Sequence, residues 1–527
     1  MPEIMPSQQA AMWREAELPA REPDPIPIPA GPPPERELRL KPVNRNQVLL
    51  WTVDVEKLVE PDHLVRAIWE LTGRLDLKGF AAGIEVVEGA AGRPALDPRL
   101  LVSLWVYAYS EGVSSAREVE RRCAYHPAYQ WLTGMQEVNH HTLSDFRVQH
   151  QEALDGLFAQ LLGVLSSEGL ITLKRVMHDG TKVKASASGS SFHREKILRA
   201  HLEAAREQVQ AMGDPRQEEP CRTARARERA ARERVERLQQ ALREMQQVQA
   251  ASQTPAEASE KRVSETDPEA RVMKQGDGGY APSHNVQIST DAAHGLIVAV
   301  SVTQAASDQE QLGPALKEIQ RQTGQLPEQI VVDGGFTTRE AILAAAAEGV
   351  DLVGGSMEKD APAAVRRLQQ RGVAAEFYPD QFRYDAATNT YTCPAGRQLP
   401  YQRTKHDRVG VERHLYQAPA TDCRQCAFQK QCCPGAESRT LIRNENVPTV
   451  ASYLVKMRTE EAPAIYRLRA PVAEFPNAWL KAKIRLRQFC VRGLRKVTCE
   501  VLWACLTYNI QQWFRLRWKQ CPIPAPC

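Results

Sequence analysis

Two aspartates stand where the sequence predicts that strands end. Asp179 follows a strand predicted at residues 173–177 with its flanks, and Asp333 follows another at residues 329–332; each is succeeded by glycine. Carboxylates at the carboxyl ends of strands project into the crevice where α/β sheets bind ligands. Two that converge repel each other unless a cation lies between them, and oxygen-only ligation suits Mg²⁺ or Mn²⁺. Because Asp-Gly is also a common turn, each aspartate alone is a weak indication.

A third group of chemically active residues lies near the C-terminus and consists of Tyr466, Arg469, Glu474 and Lys481. Tyr466 and Arg469 are three residues apart, which puts them on one face of a helix. Glu474 and Lys481 are about two helical turns apart, so both can face one site. This spacing therefore predicts a third carboxylate that can bind a metal ion, together with cationic side chains that can bind phosphate oxygens.

The backbone around Glu474 is predicted to be irregular, because Pro471 and Pro476 flank it. Proline in a helix interior costs about 3 kcal/mol, which argues against an unbroken helix. Either Pro471 opens a helix, or Glu474 precedes a helix that starts at Pro476. Both arrangements allow Glu474 to reach a metal, and Glu460 and Glu461 are the alternative third acids.

The cysteines form a second constellation. Cys423 and Cys426 have Cys-x2-Cys spacing, with Cys432 downstream and Cys393 upstream. Two ligands from such a turn and two from elsewhere can close a tetrahedral structural zinc site. Cys433 can replace Cys432 in this set. The alternative is a group of free, partly buried thiols.

Several units must position these residues. We expect a proline-rich flexible arm at 1–46, followed by a helical region at 47–169 that is a candidate DNA-end-binding domain. The first part of an α/β core is predicted at 170–356, with a charged helical insertion at about 196–249. A Cys-rich insertion at 357–447 and basic C-terminal helices at 448–520, which carry the third acid, complete the chain. In the helical insertion, alternating Arg and Glu favour an exposed hairpin or coiled coil.

Within the helical region, Asp97-Pro98 is an N-cap and first-turn pair, and capping boxes are predicted at Ser115 and Thr142. Short connections between such helices suit either a helix-turn-helix-like module or a plain bundle. In the core, strands at 285–289 and 296–302 flank a hairpin loop. A helix at 308–323, the strand before Asp333, a helix at 338–348 and a strand at 351–353 complete an α/β layered pattern.

Composition narrows the classes of function. Net charge is only +4 over 527 residues, but residues 451–527 carry 14 Lys and Arg against four Glu and no Asp, a net charge of +10. Such a basic segment is typical either of a surface that binds a polyanion or of a helical surface that is exposed to solvent. No apolar run is long enough to span a membrane, and no secretory signal is recognised. Twelve cysteines without such a signal predict a protein of the reducing cytoplasm.

Taken together, the order Asp179, Asp333, Glu474 and the Tyr-x2-Arg-x4-Glu-x6-Lys string resemble the DDE transposases of bacterial insertion sequences, in the group with a Tyr-Arg-Glu-Lys signature. The resemblance spans about residues 88 to 515. Further matching segments are Gly92-Arg93-Pro94, His178-Asp179-Gly180-Thr181-Lys182, His284-Asn285-Val286-Gln287, Val332-Asp333-Gly334-Gly335-Phe336 and Val491-Arg492-Gly493-Leu494-Arg495-Lys496-Val497. One departure is that four residues, where the group has three, separate Arg469 from Glu474.

The resemblance implies an RNase H-like catalytic fold in which Asp179, Asp333 and Glu474 hold two divalent ions, Mg²⁺ or Mn²⁺. It also implies that Tyr466, Arg469 and Lys481 hold either the DNA backbone or a flipped base and its phosphates near the cut. Arg492, in a further matching segment, is expected to bind DNA as well. The expected partners are double-stranded DNA, as element ends and target, and further copies of the chain, because two ends must be paired. The expected location is the bacterial cytoplasm, associated with the nucleoid.

Two other functions remain open from the sequence. One is a DNA-binding protein whose catalytic site is inactive or repurposed. The other is a nuclease of the same fold that hydrolyses DNA without joining it, since both activities use the same acids and metals.

Overall fold

The computed structural model describes residues 52–84, 94–212, 222–355, 366–406, 412–445 and 448–518. The predicted arm at 1–46 and the dipeptide Gly92-Arg93 lie outside the described residues. The remaining structure combines helices with two sheets of five or more strands, so the mixed α/β class predicted from the sequence is confirmed.

Helices dominate the described chain before residue 167, as predicted. The Asp97 side chain accepts a hydrogen bond from the backbone N–H of Arg99 at 2.8 Å and caps the next helix. The capping box predicted at Thr142 is wrong, because Asn139 caps this helix. Ser115 stands at the N-cap but makes no side-chain cap bond. The helices are α1 Leu64–Gly73, α2 Lys78–Ala81, α3 Pro98–Ser110, α4 Ala116–Tyr125, α5 Pro127–Thr133, α6 His140–Gln149 and α7 Gln151–Ser167.

A mixed sheet follows the helices. Its strands are β1 Arg175–Lys184, β4 Arg271–Lys274, β5 Tyr280–Asp291, β6 Ile297–Thr303, β7 Gln329–Val331 and β8 Asp351–Val353. β5 is antiparallel to β1 on one side and to β4 and β6 on the other. β7 is parallel to both β1 and β8. The predicted β5–β6 hairpin and the order of later strands are confirmed, with α11 Leu312–Thr323 and α12 Arg339–Ala347 between them.

The predicted helical insertion is a hairpin of two long helices, α8 Glu195–Met212 and α9 Arg222–Ala250, followed by α10 Pro255–Glu260. Leu198 and Leu202 of α8 pack against Leu238 and Met245 of α9. A two-stranded sheet, β2 Phe192–His193 and β3 Val263–Ser264, joins the chain before the hairpin to the chain after it. Apolar residues at three- and four-residue spacing thus form the buried face of α9.

A second sheet occupies the cysteine-containing region. Five antiparallel strands lie in the order β13-β12-β11-β10-β9 and run over Arg383–Asp385 (β9), Thr390–Thr392 (β10), Gln398–His406 (β11), Glu412–Gln417 (β12) and Thr440–Glu445 (β13). Two short helices, α13 Ala420–Arg424 and α14 Gln429–Cys432, connect β12 to β13. This region has its own hydrophobic cluster around Leu399 and Tyr416.

The chain returns to the first sheet through α15 Pro448–Lys456, α16 Glu461–Arg467, a π-helical turn Ala470–Glu474, α17 Phe475–Ala482 and α18 Leu494–Leu516. α18 packs on β6 and on the N-terminal helices α3 and α7. Its buried Asn509 side chain accepts a hydrogen bond from the Ile297 N–H at 2.9 Å and donates one to the Ile297 carbonyl at 2.7 Å. The two bonds fix α18 against the edge of the sheet.

Candidate active site

Asp179 lies in the middle of β1, so the prediction that it ends a strand is wrong. β1 continues to Lys184 because β5 pairs with it over nine residues. Gly180, expected to turn the chain, is instead paired in register with Gln287. The Asp179 side chain is 20% exposed and lies within reach of residues from the C-terminal helices.

Gly180 is required by space rather than by a turn. A Cβ at this position would lie 2.6 Å from Asp308 Oδ1 and 2.7 Å from Gln287 Nε2, closer than Cβ atoms approach other atoms in proteins. The glycine therefore lets polar side chains lie directly against the strand that carries Asp179.

Asp333 occupies the predicted place, just beyond β7. Its Oδ1 accepts a hydrogen bond from the Gly335 N–H at 2.7 Å, which holds the loop in a tight turn. The next loop lies close by, because a Cβ at Gly355 would be 2.6 Å from the Gly334 Cα. The loops after β7 and β8 therefore meet at one edge of the sheet, as expected for parallel strands.

Glu474 is carried by the π-helical turn, which explains the departure in spacing. A π-turn accommodates one residue more than an α-turn, so the fourth residue between Arg469 and Glu474 fits without breaking the helical path. Pro471 lies in the first turn of this segment, and Pro476 lies in the first turn of α17. Proline is favoured in a first turn because its fixed φ of about −65° suits the helix. Ala473, beside Glu474, packs on Met177 of β1 and so fixes the turn against the sheet.

Arg469 links two of the three acids. Its Nη1 lies 3.6 Å from Asp179 Oδ1, and its Nη2 lies 3.9 Å from Glu474 Oε1. The Arg469 side chain is only 14% exposed, whereas the Glu474 side chain is 63% exposed. Within the described ranges, the buried Nη1 has no hydrogen-bond acceptor. A partly satisfied guanidinium thus stands between the two carboxylates.

The electrostatic setting of Asp179 joins it to Asp333. Burial raises the pKa of Asp179 to about 6; the Arg469 charge lowers this pKa, while the charge of Asp333 raises it. The charge of Asp333 is therefore felt at the Asp179 carboxyl group. The carboxylate oxygens of the three acids, Asp179, Asp333 and Glu474, do not all lie within 4.8 Å of one another. In the described part of the chain, the groups of three possible metal ligands that meet this limit are found elsewhere.

Two polar residues beside Asp179 were missed by sequence reasoning. Asn477 donates a hydrogen bond from Nδ2 to Asp179 Oδ2 at 3.0 Å, and its buried Oδ1 is without a partner among the described residues. Asp308 accepts hydrogen bonds from Lys182 (2.7 Å) and Asn285 (2.7 Å). Although burial raises the pKa of Asp308, these bonds bring it below its ordinary value. The sequence feature that could have indicated the hydrogen-bonded group around Asp308 is the repeated occurrence of polar residues along β1 and β5, the two paired strands that carry Lys182 and Asn285.

His178 serves the same network from inside the sheet. It is buried, with Nδ1 2.9 Å from Ser289 Oγ and Nε2 3.0 Å from Gln287 Oε1. Burial lowers the pKa of His178 to about 4, so the imidazole is neutral at physiological pH. A neutral ring with both nitrogens engaged ties β1 to β5 and cannot act as a proton carrier without breaking these bonds.

The predicted DNA-binding residues are distributed over two places. Tyr466 packs in the cluster around Ala473, beside the loop that contains Gly355. Burial lowers the pKa of Lys481, and the charge of Asp179 opposes this shift. Arg492 is elsewhere, in a groove between α9 and the segment before α18, where its Nε donates to the Ser186 carbonyl at 3.0 Å. The structure thus brings Tyr466, Arg469 and Lys481 to the acids but not Arg492.

The predicted zinc ligands Cys393, Cys423, Cys426 and Cys432 line one small cavity together with Cys433. Burial raises the pKa of the Cys432 thiol to about 12, and the neighbouring sulfurs act in the same direction. No three of these thiols converge to within 4.8 Å of one another among the described residues. The structure therefore gathers the cysteines without closing a metal site.

Two family descriptions match the chain. Residues 392–514 match the Transposase DDE domain, and residues 53–149 match the Transposase domain (DUF772). The two matches indicate an insertion-sequence DDE transposase, so the resemblance seen in the sequence is confirmed. Glu474 and the basic residues around it lie inside the first match, whereas Asp179 and Asp333 lie outside both. No curated protein matches the chain.

A Transposase DDE domain implies a divalent metal ion and a DNA substrate. The residues around Asp179 suit such ions, because the donors are carboxylate oxygens and the unpartnered amide oxygen of Asn477. Across the described residues, no helix is both long and apolar enough to cross a membrane.

Proposed function

We propose that this transposase cuts and joins DNA at the ends of its own insertion sequence by two-metal phosphoryl transfer. The observation that carries the proposal is the grouping around Arg469, which contacts both Asp179 and Glu474, while Asp333 acts electrostatically on Asp179. The proposed site would thus draw its carboxylates from β1, the loop after β7 and the π-turn. The mixed order of the sheet, with β1 between an antiparallel and a parallel neighbour, supports an RNase H-like core.

In this proposal Asp179, Asp333 and Glu474 are the ligands for Mg²⁺ or Mn²⁺. Bound ions would activate water or a DNA 3′-hydroxyl and stabilise the departing oxygen. Asn477 holds the Asp179 carboxylate in one orientation through its 3.0 Å hydrogen bond. Positioning of this kind matters because phosphoryl transfer depends mainly on orientation and charge neutralisation.

Arg469 has a second task in the same proposal. In the structure its charge offsets those of Asp179 and Glu474. When cations occupy the carboxylates, the guanidinium is free to bind a DNA phosphate, for which its planar fork is well suited. Tyr466 and Lys481 flank it, and they would hold the DNA backbone near the cut.

The other units have proposed roles as well. The helices before residue 169 would recognise the element ends, and Arg492 with the basic C-terminal segment would bind phosphates, which makes affinity fall steeply with salt. Cys393, Cys423, Cys426 and Cys432 would hold a structural Zn²⁺. We further propose that the chain acts as an oligomer on the nucleoid of a bacterial cytoplasm.

The test is a cleavage and joining assay on DNA that flanks this gene, with Mg²⁺ or Mn²⁺. The variants are Asp179→Asn, Asp333→Asn and Glu474→Gln, which keep size and shape but remove the charge. Glu460→Gln and Glu461→Gln are matched controls, because both residues are exposed at the start of α16. We expect cutting and joining to disappear in the first three variants and to persist in the two controls.

The alternatives give different results. If Glu474→Gln retained activity while Glu460→Gln or Glu461→Gln lost it, the third acid would be reassigned. Products that are cut but never joined would identify a hydrolytic nuclease. Binding of the ends without cutting under either metal would leave a DNA-binding protein with an inactive site.

A further inference from the structure

A second cluster of possible metal ligands lies at the base of the helical insertion, apart from the residues discussed above. His193 is in β2, just before α8, and His201 is one to two turns into α8. Glu265 follows β3, where the chain comes back from the insertion. The three side chains thus connect the segment that leads into the hairpin with the segment that leaves it.

The geometry of this cluster is compact. One ligand atom from each of His193, His201 and Glu265 lies within 4.8 Å of the other two. His201 Nδ1 is 2.7 Å from Glu265 Oε2, and the two imidazole rings are 5.3 Å apart, edge to face. All three residues are half-buried. A backbone hydrogen bond of 3.0 Å from Glu265 N–H to the Ser191 carbonyl fixes the acid beside β2.

We propose that His193, His201 and Glu265 bind a divalent transition-metal ion of the Zn²⁺ class, with water completing the coordination. Two imidazoles and a carboxylate are common zinc ligands, with Zn–N and Zn–O distances of about 2.0–2.2 Å. Ligand atoms that already lie within 4.8 Å of one another need only small side-chain rotations to reach these distances. The donors differ from those of the DDE site, where oxygen atoms alone suit Mg²⁺ or Mn²⁺.

The bound ion would cross-link the base of the hairpin. β2 and β3 pair over only two residues each, so backbone bonds alone hold this junction weakly. An ion shared by β2, α8 and the residue after β3 would fix the direction in which α8 and α9 leave the core. The site is independent of catalysis, and its existence does not depend on the function proposed above.

The test uses the full-length, untagged protein with Cys423→Ser and Cys426→Ser, so that the cysteine cavity cannot bind metal. We expect the parent to bind one Zn²⁺ more per chain than its His193→Ala or His201→Ala variant. With Co²⁺ as the probe, this site should give the strong visible d–d absorption of a four-coordinate ion without thiolate charge transfer. Six-coordinate Co²⁺ on the carboxylates absorbs only weakly.

His140→Ala is the matched control, because His140 Nδ1 lies 2.8 Å from Glu120 Oε2 in a similar His–Glu pair. In the described part of the chain, that pair belongs to no group of three ligands. Its loss should leave the stoichiometry and the Co²⁺ spectrum unchanged. Equal zinc content in the parent and in folded His193→Ala would overturn the proposal.

A conservative variant guards against misfolding. Glu265→Gln keeps a hydrogen-bonding side chain beside His201 but removes the anionic ligand. We expect Glu265→Gln to bind Zn²⁺ at least about tenfold more weakly than the parent. In the parent, Zn²⁺ should slow amide hydrogen exchange in α8 and α9, and this slowing should be lost in Glu265→Gln. If zinc slowed exchange in the hairpin equally in the parent and in Glu265→Gln, the assignment would be wrong.

Discussion

The contact between Gly180 and the Asp308 network gives the sharpest test of the site's construction. Gly180→Ala adds one methyl group to the strand that carries Asp179. In the structure that carbon would lie 2.6 Å from Asp308 Oδ1 and 2.7 Å from Gln287 Nε2. Neither side chain can simply turn away, because Gln287 Nε2 donates to Asp308 Oδ1 at 2.9 Å and Asn285 Nδ2 donates to the same oxygen at 2.7 Å.

The magnitude follows from two effects. Overpacking a well-ordered site costs about 1–3 kcal/mol, and losing one hydrogen bond to a charged group costs about 1.5–3 kcal/mol. Because relaxation that relieves one effect worsens the other, we expect Gly180→Ala to lower the free energy of unfolding by about 2–4 kcal/mol. A glycine in an unconstrained strand would respond in the opposite way, since alanine is favoured there by roughly 0.5–1 kcal/mol.

The assay is urea unfolding of the full-length protein, followed by tryptophan fluorescence. Gly163→Ala is the matched control, because Gly163 is exposed within α7 and its Cβ would meet nothing within 4 Å. It should stabilise the protein by about 0.5–1 kcal/mol. The cost of Gly180→Ala should also shrink when Asp308→Ala is present, since the obstructing oxygen is then gone. A Gly180→Ala protein as stable as the wild type would refute the reasoning.

Three further predictions concern other buried polar groups. Asn477→Ala should reduce DNA cleavage by roughly 10- to 100-fold in protein that circular dichroism shows to be folded at the assay temperature, because it removes the hydrogen bond that orients Asp179; equal cleavage rates would contradict this role. Arg469→Gln should tighten Mn²⁺ binding, measured by calorimetry without DNA, on the order of tenfold while cleavage falls; unchanged Mn²⁺ affinity would show that Arg469 does not compete with cations. Burial raises the pKa of Glu500, which accepts a hydrogen bond from the Cys490 N–H at 3.1 Å. The contribution of protonated Glu500 to the free energy of unfolding is therefore fully present below the ordinary pKa of 4.5 and is lost as pH rises through the raised pKa. Glu500→Gln should thus gain stability relative to the wild type as pH increases. A stability difference in urea unfolding that does not change with pH would argue against this.

Local patterns in the sequence were sufficient for many elements. Alternating Arg and Glu predicted the hairpin of α8 and α9, and Asp97-Pro98 predicted the start of α3. These predictions succeed because helix caps and apolar periodicity depend on residues within a few positions of one another. Asp333 was placed correctly for the same reason, since a short strand ends at Val331, two residues before it.

Errors arose where a residue's neighbours are distant in the chain. Asp179-Gly180 reads as a turn, but pairing with β5, more than 100 residues away, extends β1 through it. Thr142 has the spacing of a capping box, yet the helix begins at Asn139, where Glu120 of α4 accepts a hydrogen bond from the His140 N–H at 3.1 Å. Local propensities of this kind are weak compared with the free energy of burying a strand or a helix face, so tertiary packing overrides them.

The sequence by itself determined the chemistry: three acids, an accompanying tyrosine, arginine and lysine, and a group of cysteines. The tertiary structure alone decided how they meet. The π-turn places Glu474 against Arg469, and Asn477 reaches Asp179 from 298 positions along the chain. The Asp308 network and the His193 cluster are likewise assembled from separate segments. Such contacts depend on how strands and helices pack, and no local pattern of residue types encodes that packing.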